Sequence, residues 1–279
     1  MKQAKQMNRQ FNLRLSFNAF MLCTLLLITP QISDAGDYEN GIAAYRAGDY
    51  DKAIKLLSSA GNQGNAKAQY YLSVLYEGGS GIDKDMNASL RWLKRAAEGG
   101  MVEAQRNLGT FFHDGIDDPD DDIDQAIYWY QRAASQGDLT GQLRLGILLD
   151  REKDTAFDHR EAIRWYLLAA RQGVAQAQYN LGVMHSQGRG TPINPDKALN
   201  WFFKAAKQRY THAMVAIGDT YLSGKGVPQS NVEAYKWFQL ADINGHETIA
   251  HRMKEIATDL TSEQIKKAEH SANVWLTEN

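Results

Sequence analysis

Residues 177–208 read AQYNLGVMHSQGRGTPINPDKALNWFFKAAKQ, and the motifs of this segment predict the architecture of the chain. These motifs return along the chain at a nearly constant distance of 36 or 37 residues, and each copy contains one tryptophan. These tryptophans are Trp92, Trp129, Trp165, Trp201 and Trp237. A period of about 20–50 residues is typical of solenoids, in which small units stack in one dimension. The sequence therefore predicts an array of similar units rather than a single large core.

The copy that opens at Met101 shows why each unit should fold as a helix hairpin. Apolar residues at helical spacing form one stripe in its first half and another in its second half. The first stripe is Ala104, Leu108, Phe111 and Phe112, and the second is Ala126, Trp129, Tyr130 and Ala133. We interpret the periodic tryptophans as wedges between packed helices, because a buried indole removes about 150–250 Å² of surface from water.

Small residues mark two further positions of each copy. One position lies in the first helix, where a small side chain is expected to let the two helices approach closely. It is occupied by Ser73, Gly109, Gly146, Gly182 and Gly218. The other follows the second helix, where a left-handed residue commonly ends a helix. It is occupied by Gly100, Gly137, Gly173, Arg209 and Gly245, so that Arg209 departs from the pattern.

The loops between the two helices carry a resemblance to a known family. They read GGSGID from Gly78, GRGTPINP from Gly188 and GKGVPQSN from Gly224. With the period, the small residue and the tryptophan, they resemble the Sel-one-like repeat, a relative of the tetratricopeptide repeat. The resemblance implies an all-α fold, a right-handed α-solenoid of stacked antiparallel helix hairpins. The two middle copies depart from it in their loops, DGIDDPDDDID from Asp114 and REKDTAFDHRE from Arg151.

The repeats define the domain organisation. Five Sel-one-like repeats are predicted over residues 65–245, with boundaries 65–100, 101–137, 138–173, 174–209 and 210–245. Residues 36–64 have a tight turn and no tryptophan, and they resemble a tetratricopeptide unit that serves as an N-terminal cap. Residues 246–279 are predicted to form C-terminal capping helices. There Thr261 and Gln264 fit a capping box, and an apolar stripe follows at Ile265, Ala268, Ala272 and Trp275.

The first 35 residues have the layout of a secretory signal peptide. Four basic residues precede an apolar run from Phe17 to Ile28, and Ser33 to Gly36 provide a small-residue cleavage site. The run is shorter than the roughly 20 residues that a membrane-spanning helix needs, which favours cleavage after Ala35 over an uncleaved anchor. The sequence therefore predicts a periplasmic or secreted protein with no membrane segment in its mature form.

Charge and cysteine content exclude several classes of function. The chain has 31 basic and 33 acidic residues, and removal of residues 1–35 takes away four basic residues and one acidic residue, which leaves a net charge of −5. Basic and acidic residues alternate on most helices, whereas nucleic-acid binding requires a basic stripe. The only cysteine, Cys23, lies in the predicted signal peptide, so the mature protein can form neither a disulfide nor a thiolate metal site. No nucleic-acid partner is expected.

Motifs for catalysis or metal binding are weak in this sequence. His246 and His251 are five residues apart, which places them about 140° apart on a helix, whereas a zinc-protease helix needs an interval of four. The aspartate-rich loop Asp114–Asp124 lacks the glycine and glutamate of a calcium loop. We interpret this loop as solvated, with a loose cation site or a dock for a basic partner as alternatives.

An enzymatic function is not expected, and no cofactor is predicted. Some relatives with this repeat have been linked to β-lactam binding, but no serine here is followed three residues later by lysine. The sequence also contains no nucleophile elbow, phosphate loop or dinucleotide fingerprint. An enzymatic function is therefore the least supported hypothesis for this protein.

The candidate binding residues lie on the first helices. In tetratricopeptide relatives this side lines a concave groove, and the residues that occupy it here differ from copy to copy. The resemblance places eight residues on or near the groove wall: Tyr70, Tyr71, Arg106, Asn107, His113, Arg144, Tyr179 and Asn180. Asp150, at the end of the third first helix, is expected near the same wall. By contrast, one glutamine position is the same in four copies and is predicted to make a shared packing or backbone contact. Its members are Gln69, Gln105, Gln142 and Gln178.

Two functional hypotheses follow from these features. The first is an exported, non-enzymatic scaffold that holds a protein partner in the groove. Resemblance to bacterial Sel-one-like proteins implies a periplasmic adaptor, a regulator of a membrane sensor, an envelope or exopolysaccharide assembly factor, or a factor presented to host cells. The second hypothesis is that aromatic and amide side chains of the same groove bind cell-wall glycan.

Overall fold

The computed structural model describes residues 34–79, 81–114, 119–151 and 156–279. The predicted signal peptide lies outside these residues except for its last two positions. Two loop segments also lie outside them: residues 115–118 of the aspartate-rich loop and residues 152–155 of the loop that begins at Arg151. The alternatives given for the aspartate-rich loop therefore remain predictions.

Every regular element in the described part of the chain is a helix. The helices are α1 (Asp34–Arg46), α2 (Tyr50–Asn62), α3 (Ala66–Gly78), α4 (Met86–Glu98), α5 (Val102–His113), α6 (Pro119–Ser135), α7 (Leu139–Arg151), α8 (Ala156–Arg171), α9 (Ala175–Gln187), α10 (Pro195–Ala206), α11 (Thr211–Ser223), α12 (Asn231–Ile243), α13 (Ile249–Ala257) and α14 (Ser262–Glu278). Of these described helices, none has both the length and the apolar character that crossing a bilayer requires.

Consecutive helices pair into hairpins that stack along the chain. From α1 to α12, each odd-numbered helix packs against the following even-numbered helix, which in turn packs against the first helix of the next hairpin. At the C-terminal end, α12 contacts both α13 and α14. The fold is therefore the predicted all-α solenoid of stacked helix hairpins.

In four of the five tryptophan-containing repeats, the small-residue position of the first helix faces an aromatic ring of the second helix. A Cβ atom added at Gly182 would lie 2.4 Å from a ring carbon of Phe202. The same arrangement pairs Gly109 with Tyr130, Gly146 with Tyr166 and Gly218 with Phe238. In the first tryptophan-containing repeat, Ser73 and Leu93 occupy the two positions, and both line one crevice. The glycines were predicted to let the two helices approach closely. In the structure, the space above each glycine is filled by an aromatic side chain of the second helix.

The periodic tryptophans lie between neighbouring hairpins, as predicted. Trp237 of α12 is only 2 % exposed, and its ring centroid is 5.3 Å from that of Phe203 in α10. Trp92 of α4 packs against the apolar cluster formed by α2 and α3. Trp201 is half-buried, and the Lys204 ammonium lies 4.1 Å from the centroid of its ring. The indoles therefore join successive repeats.

One member of the apolar stripe in α5 is not buried. Ala104 and Leu108 are fully buried and Phe112 is half-buried, but Phe111 is 43 % exposed, so its prediction as a core residue was wrong. The adjacent rings of Phe111 and Phe112 lie 5.5 Å apart, edge to face, and Phe112 packs against the core cluster. Neighbouring helical residues point about 100° apart, so the ring of Phe111 is left at the edge of the stripe.

The residue that follows each second helix is left-handed, as predicted. Gly173 has a φ of 90°, and the arginine at the equivalent place, Arg209, has a φ of 63°. This backbone conformation is costly for residues with a Cβ atom. Arg209 also donates a hydrogen bond from Nη2 to the backbone oxygen of Leu276 in α14, at 3.2 Å. Its side chain therefore connects the fourth tryptophan-containing repeat to the C-terminal helix.

The repeated glutamines make the backbone contact predicted for them. Each donates a hydrogen bond from Nε2 to a carbonyl near the end of the preceding second helix: Gln69 to Gly61 at 2.7 Å, Gln105 to Ala97 at 3.0 Å, Gln142 to Ala134 at 3.3 Å and Gln178 to Ala170 at 3.0 Å. Two of them also accept from a glutamine just after the second helix of their own repeat, because Gln136 donates to Gln105 and Gln208 donates to Gln178, both at 2.8 Å. These amides tie consecutive hairpins together.

The C-terminal helix begins and packs as the sequence predicted. Gln264 N donates to Thr261 Oγ1 at 3.2 Å, and Thr261 N donates to Gln264 Oε1 at 2.8 Å, which completes the capping box. Ala268 and Ala272 are buried, and Trp275 is half-buried with its ring 5.4 Å from that of Trp237. The apolar stripe of α14 therefore covers the outer side of α12.

Candidate protein-interaction face

The eight predicted groove residues all lie on the first helices of their hairpins, in α3, α5, α7 and α9. We call the side of the array formed by α3, α5, α7, α9 and α11 the first-helix face. Whether these residues bind a partner stays a prediction. Their surroundings nevertheless show which of them already have partners within the chain.

Three of the eight connect successive repeats. Asn107 Nδ2 donates a hydrogen bond of 3.2 Å to the hydroxyl of Tyr70 in the preceding first helix. Arg106 Nη1 lies 2.7 Å from Asp138 Oδ2, just before the next first helix. Because these side chains already have polar partners within the chain, they contribute to stacking.

Two of the eight belong to aromatic clusters. The ring of Tyr71 lies 6.2 Å from that of Tyr38 and 6.4 Å from that of Tyr45 in the N-terminal hairpin. The ring of Tyr179 lies 5.7 Å from that of Phe202, and burial raises the pKa of the Tyr179 phenol. Both tyrosines are half-buried, so each presents only part of its ring to a partner.

The remaining three differ in their environments. Asn180 hydrogen bonds to the phenol of Tyr166, whose pKa is raised mainly by burial. His113 is half-buried, and its buried Nδ1 has no hydrogen-bond partner among the described residues. Arg144 is exposed and forms neither a hydrogen bond nor an ion pair with the described part of the chain. Arg144 is therefore available to a partner.

The first-helix face contains a crevice near its N-terminal end. This N-terminal crevice lies between α3, α4 and α5, has a volume of about 280 Å³, and is lined by Val74, Met86, Leu90, Leu93 and Phe111 among others. Val74 is 39 % exposed and Met86 is 48 % exposed, similar to Phe111. Three apolar side chains are thus presented to solvent around one depression.

A second crevice lies at the equivalent place near the C-terminal end. This C-terminal crevice lies between α9, α10 and α11, has a volume of about 700 Å³, and is lined by Tyr179, Val183, Ile193, Phe202 and Ala216 among others. Ile193, in the loop before α10, is 66 % exposed. Ser186, Gln187 and Lys225 form part of its polar lining. Both crevices use the same positions of the repeat, because Leu93 and Phe202 each follow a periodic tryptophan.

The sequence prediction missed the apolar lining of these crevices. Val74 follows Ser73 and Val183 follows Gly182, so both stand one residue after the small-residue position. A helical residue there points about 100° away from the ring that fills the small-residue site, towards the first-helix face. The position directly after the small residue could therefore have identified Val74 and Val183 in the sequence. The prediction instead selected positions that vary between repeats.

The prediction that Asp150 lies near the groove wall was wrong, because its carboxylate is buried in an ionic cluster that the sequence did not reveal. Asp150 of α7 is buried, with Arg189 Nη1 3.0 Å and His159 Nε2 3.9 Å from its Oδ1. Burial raises the pKa of Asp150, while Arg189 and then His159 act in the opposite direction. The cluster joins α7 and α8 to the loop before α10. It therefore locks the third tryptophan-containing repeat onto the fourth.

The two histidines compared with a zinc motif lie in different environments. The ring of His246 is 5.6 Å from that of His212, whereas His251 is exposed, with Nε2 3.6 Å from Glu255 Oε1. Within the described ranges, no three histidine, cysteine, aspartate or glutamate side chains are grouped so that they could hold a metal ion.

Comparison with known proteins places the chain in a family. The Sel1 repeat family model matches six segments, residues 34–65, 66–101, 102–138, 140–174, 175–210 and 211–241. The first of these is the unit predicted as a tetratricopeptide-like cap. No curated protein matches the chain.

Two solved structures share the fold at recognisable sequence identity. One is c5321, a protective antigen of uropathogenic Escherichia coli with an SLR fold, at 29 % identity and a TM-score of 0.69, covering 88 % of this chain and 53 % of that one. The chain thus spans about half the length of the E. coli protein. The other is a Sel1 repeat protein from Oxalobacter formigenes, at 27 % identity and a TM-score of 0.68, covering 84 % of this chain and 98 % of that one.

The family assignment agrees with the architecture and with the lack of catalytic motifs in the sequence. Sel1 repeat proteins are generally protein-interaction scaffolds, and the family is typically non-enzymatic. The six matched segments cover most of the described residues, and each corresponds to one helix hairpin and begins within one residue of its start. This chain belongs to the Sel1 repeat family.

Proposed function

We propose that this protein is an exported, non-enzymatic scaffold that binds a protein partner on its first-helix face. The observation that carries the proposal is the exposure of apolar side chains around two crevices of that face, with Met86, Phe111 and Ile193 as the clearest examples. Clustered apolar side chains rimmed by polar residues mark interaction sites on soluble proteins.

The spacing of the crevices favours an elongated partner. The N-terminal crevice belongs to the first tryptophan-containing repeat and the C-terminal crevice to the fourth. A partner that fills both must therefore extend over the repeats between them, as a helix or an extended chain does when it lies in a groove. The resemblance to bacterial Sel-one-like proteins supports a role in the regulation or assembly of the bacterial cell envelope, or in contact with a host.

Photo-crosslinking in the producing cell tests which face binds. A photoreactive amino acid at Phe111 should capture a specific protein, because this ring lies at the N-terminal crevice. The same probe at Leu168, on the second helix α8, should not. The two positions are matched, since each side chain is 43 % exposed. Arg106 and Tyr179 are less suitable probe sites, because one is ion-paired and the other is packed among rings.

Captured material is identified by mass spectrometry and the crosslink is repeated with purified components. Capture from Leu168 that equals or exceeds capture from Phe111 would show that the first-helix face is not the binding face. If the mature protein instead sediments with purified sacculi and the Phe111 probe captures no protein, glycan binding replaces the proposal.

Export is tested separately from partner binding. Cleavage after Ala35 predicts that the protein recovered from the periplasm or medium begins at Gly36, which an intact-mass measurement detects directly. The likeness to a protein described as a protective antigen supports a location accessible from outside the cell. Recovery of the chain with Met1 in the cytoplasmic fraction would contradict export.

A further inference from the structure

We propose that the partner segment held by the first-helix face combines carboxylates with apolar side chains. Its carboxylates pair with Arg144 and Arg151 of α7, and its apolar side chains enter the C-terminal crevice. This inference rests on the proposed function, because it names the chemistry of the partner that the scaffold would bind.

The two arginines form one basic surface. They are seven residues apart on α7, so they point to nearly the same side, about 10 Å apart along the helix axis. Both are exposed, and neither forms a hydrogen bond or an ion pair with the described part of the chain. Other arginines near the first-helix face already have carboxylate partners: Arg106 pairs with Asp138, Arg189 with Asp150, and Arg252 with Asp219.

The basic surface lies close to the C-terminal crevice. α7 is the first helix of the hairpin that precedes α9, whose Tyr179 lines the crevice, and Arg151 occupies on α7 the repeat position that the lining residue Gln187 occupies on α9. The lining itself contributes one exposed cation, Lys225. The one carboxylate in that lining, Asp219, is ion-paired with Arg252. With Asp219 paired, Lys225 is the charged lining residue that has no ion-pair partner among the described residues.

Apart from Asp219, which is ion-paired with Arg252, the exposed carboxylates of the described first-helix face lie nearer its N-terminal end. Glu77, Glu103 and Asp114 are all exposed, and none is ion-paired with a described residue. Like charges placed opposite each other across an interface are unfavourable, so an acidic segment is repelled from α3 and α5 and attracted to α7. The charge pattern thus fixes where along the array the acidic part of the partner lies.

A protein segment fits this surface better than a polyanion without apolar groups. Val183, Ile193, Phe202 and Ala216 offer an apolar surface that sugar hydroxyls or phosphates would leave unfilled. Arginine binds carboxylates through two parallel hydrogen bonds, which adds geometric selectivity to the attraction of charge. Carboxylates and apolar side chains are available together in an acidic, apolar peptide.

Selection from a phage-displayed library of random peptides tests the proposed chemistry on the full mature protein. Peptides that bind the wild type should be enriched in aspartate and glutamate together with leucine, isoleucine or phenylalanine. The double variant Arg144→Gln/Arg151→Gln should lose the acidic enrichment, and the best wild-type peptide should bind it about tenfold more weakly, with a reduced dependence on salt.

The matched control is Arg160→Gln/Arg171→Gln, which removes the same number of charges from the exposed side of α8. It should bind the selected peptides as the wild type does. All four arginines are exposed, so both variants should keep the wild-type circular dichroism and melting temperature.

Each other outcome overturns the inference. Peptides without acidic enrichment, enrichment that survives loss of Arg144 and Arg151, or no selected peptide at all would contradict the proposed chemistry. Competition by alginate, a polyanion without apolar groups, as strong as that by the peptide would point to polysaccharide instead. These results are separate from the Phe111 crosslink, whose failure would remove the proposed function but would not alter the composition of the selected peptides.

Discussion

Replacing Trp237 with alanine should lower the free energy of unfolding by about 3–5 kcal/mol. Its indole is almost fully buried and contacts Phe203 of α10 and Trp275 of α14, so one side chain joins three helices. Truncation leaves a cavity that the rigid hairpins can fill only in part. Urea unfolding followed by circular dichroism gives the change in free energy, and hydrogen exchange should show that α14 loses protection first.

Trp201 provides the matched control for this prediction. It occupies the same position of the preceding repeat but is half-buried, with the ammonium of Lys204 over its ring. Trp201→Ala should therefore cost less than Trp237→Ala, because a smaller area returns to water. Equal losses for the two variants, or a loss below about 1 kcal/mol for Trp237→Ala, would show that the tryptophans are not wedges.

Introducing serine at Gly182 should destabilise the protein by about 1–3 kcal/mol. A Cβ atom there would lie 2.4 Å from the ring of Phe202, so either the ring or α9 must move. The hydroxyl itself is expected to find a partner, because Ser73 at the equivalent position donates a 2.7 Å hydrogen bond to the carbonyl of Tyr70. The loss therefore measures overpacking, and thermal and urea unfolding should both report it.

The first tryptophan-containing repeat suggests how the loss can be recovered. There, the serine coexists with Leu93, which is smaller than a phenylalanine. In a double-mutant cycle, Phe202→Leu should make Gly182→Ser less costly, with a favourable coupling of about 1–2 kcal/mol. If Gly182→Ser is as stable as the wild type, or if the two substitutions are additive, the ring does not depend on the glycine.

The fold could be predicted from the sequence because its determinants are local and repeated. The period predicts that Trp237 and its equivalents lie between hairpins. The glutamine that recurs at one position indicates a backbone contact that several repeats make in the same way. The capping box at Thr261 also depends only on nearby residues. When the same physical requirement recurs in several copies, their agreement identifies it without any knowledge of long-range contacts.

The candidate site was less predictable because its residues interact between repeats. Arg106 and Asp138 are 32 residues apart in the chain, and nothing in either local sequence identifies them as a pair. Phe111 and Phe112 are adjacent, and the structure places the ring of Phe112 against the core and leaves that of Phe111 exposed. Helical periodicity alone does not predict which of the two rings is buried. The ion pair between Arg106 and Asp138, and the lack of such a pair for Arg144 and Arg151 among the described residues, likewise became visible only in three dimensions.

The hydrogen bond from Arg209 to Leu276 has a consequence for how the array opens. Linear arrays fray from their ends, where a terminal unit has only one neighbour. Here the carbonyl of Leu276 in the last helix is bound by a residue 67 positions earlier, across the whole fifth tryptophan-containing repeat. The final two hairpins should therefore detach as one block rather than unzip helix by helix, so this end of the molecule is protected against stepwise proteolysis.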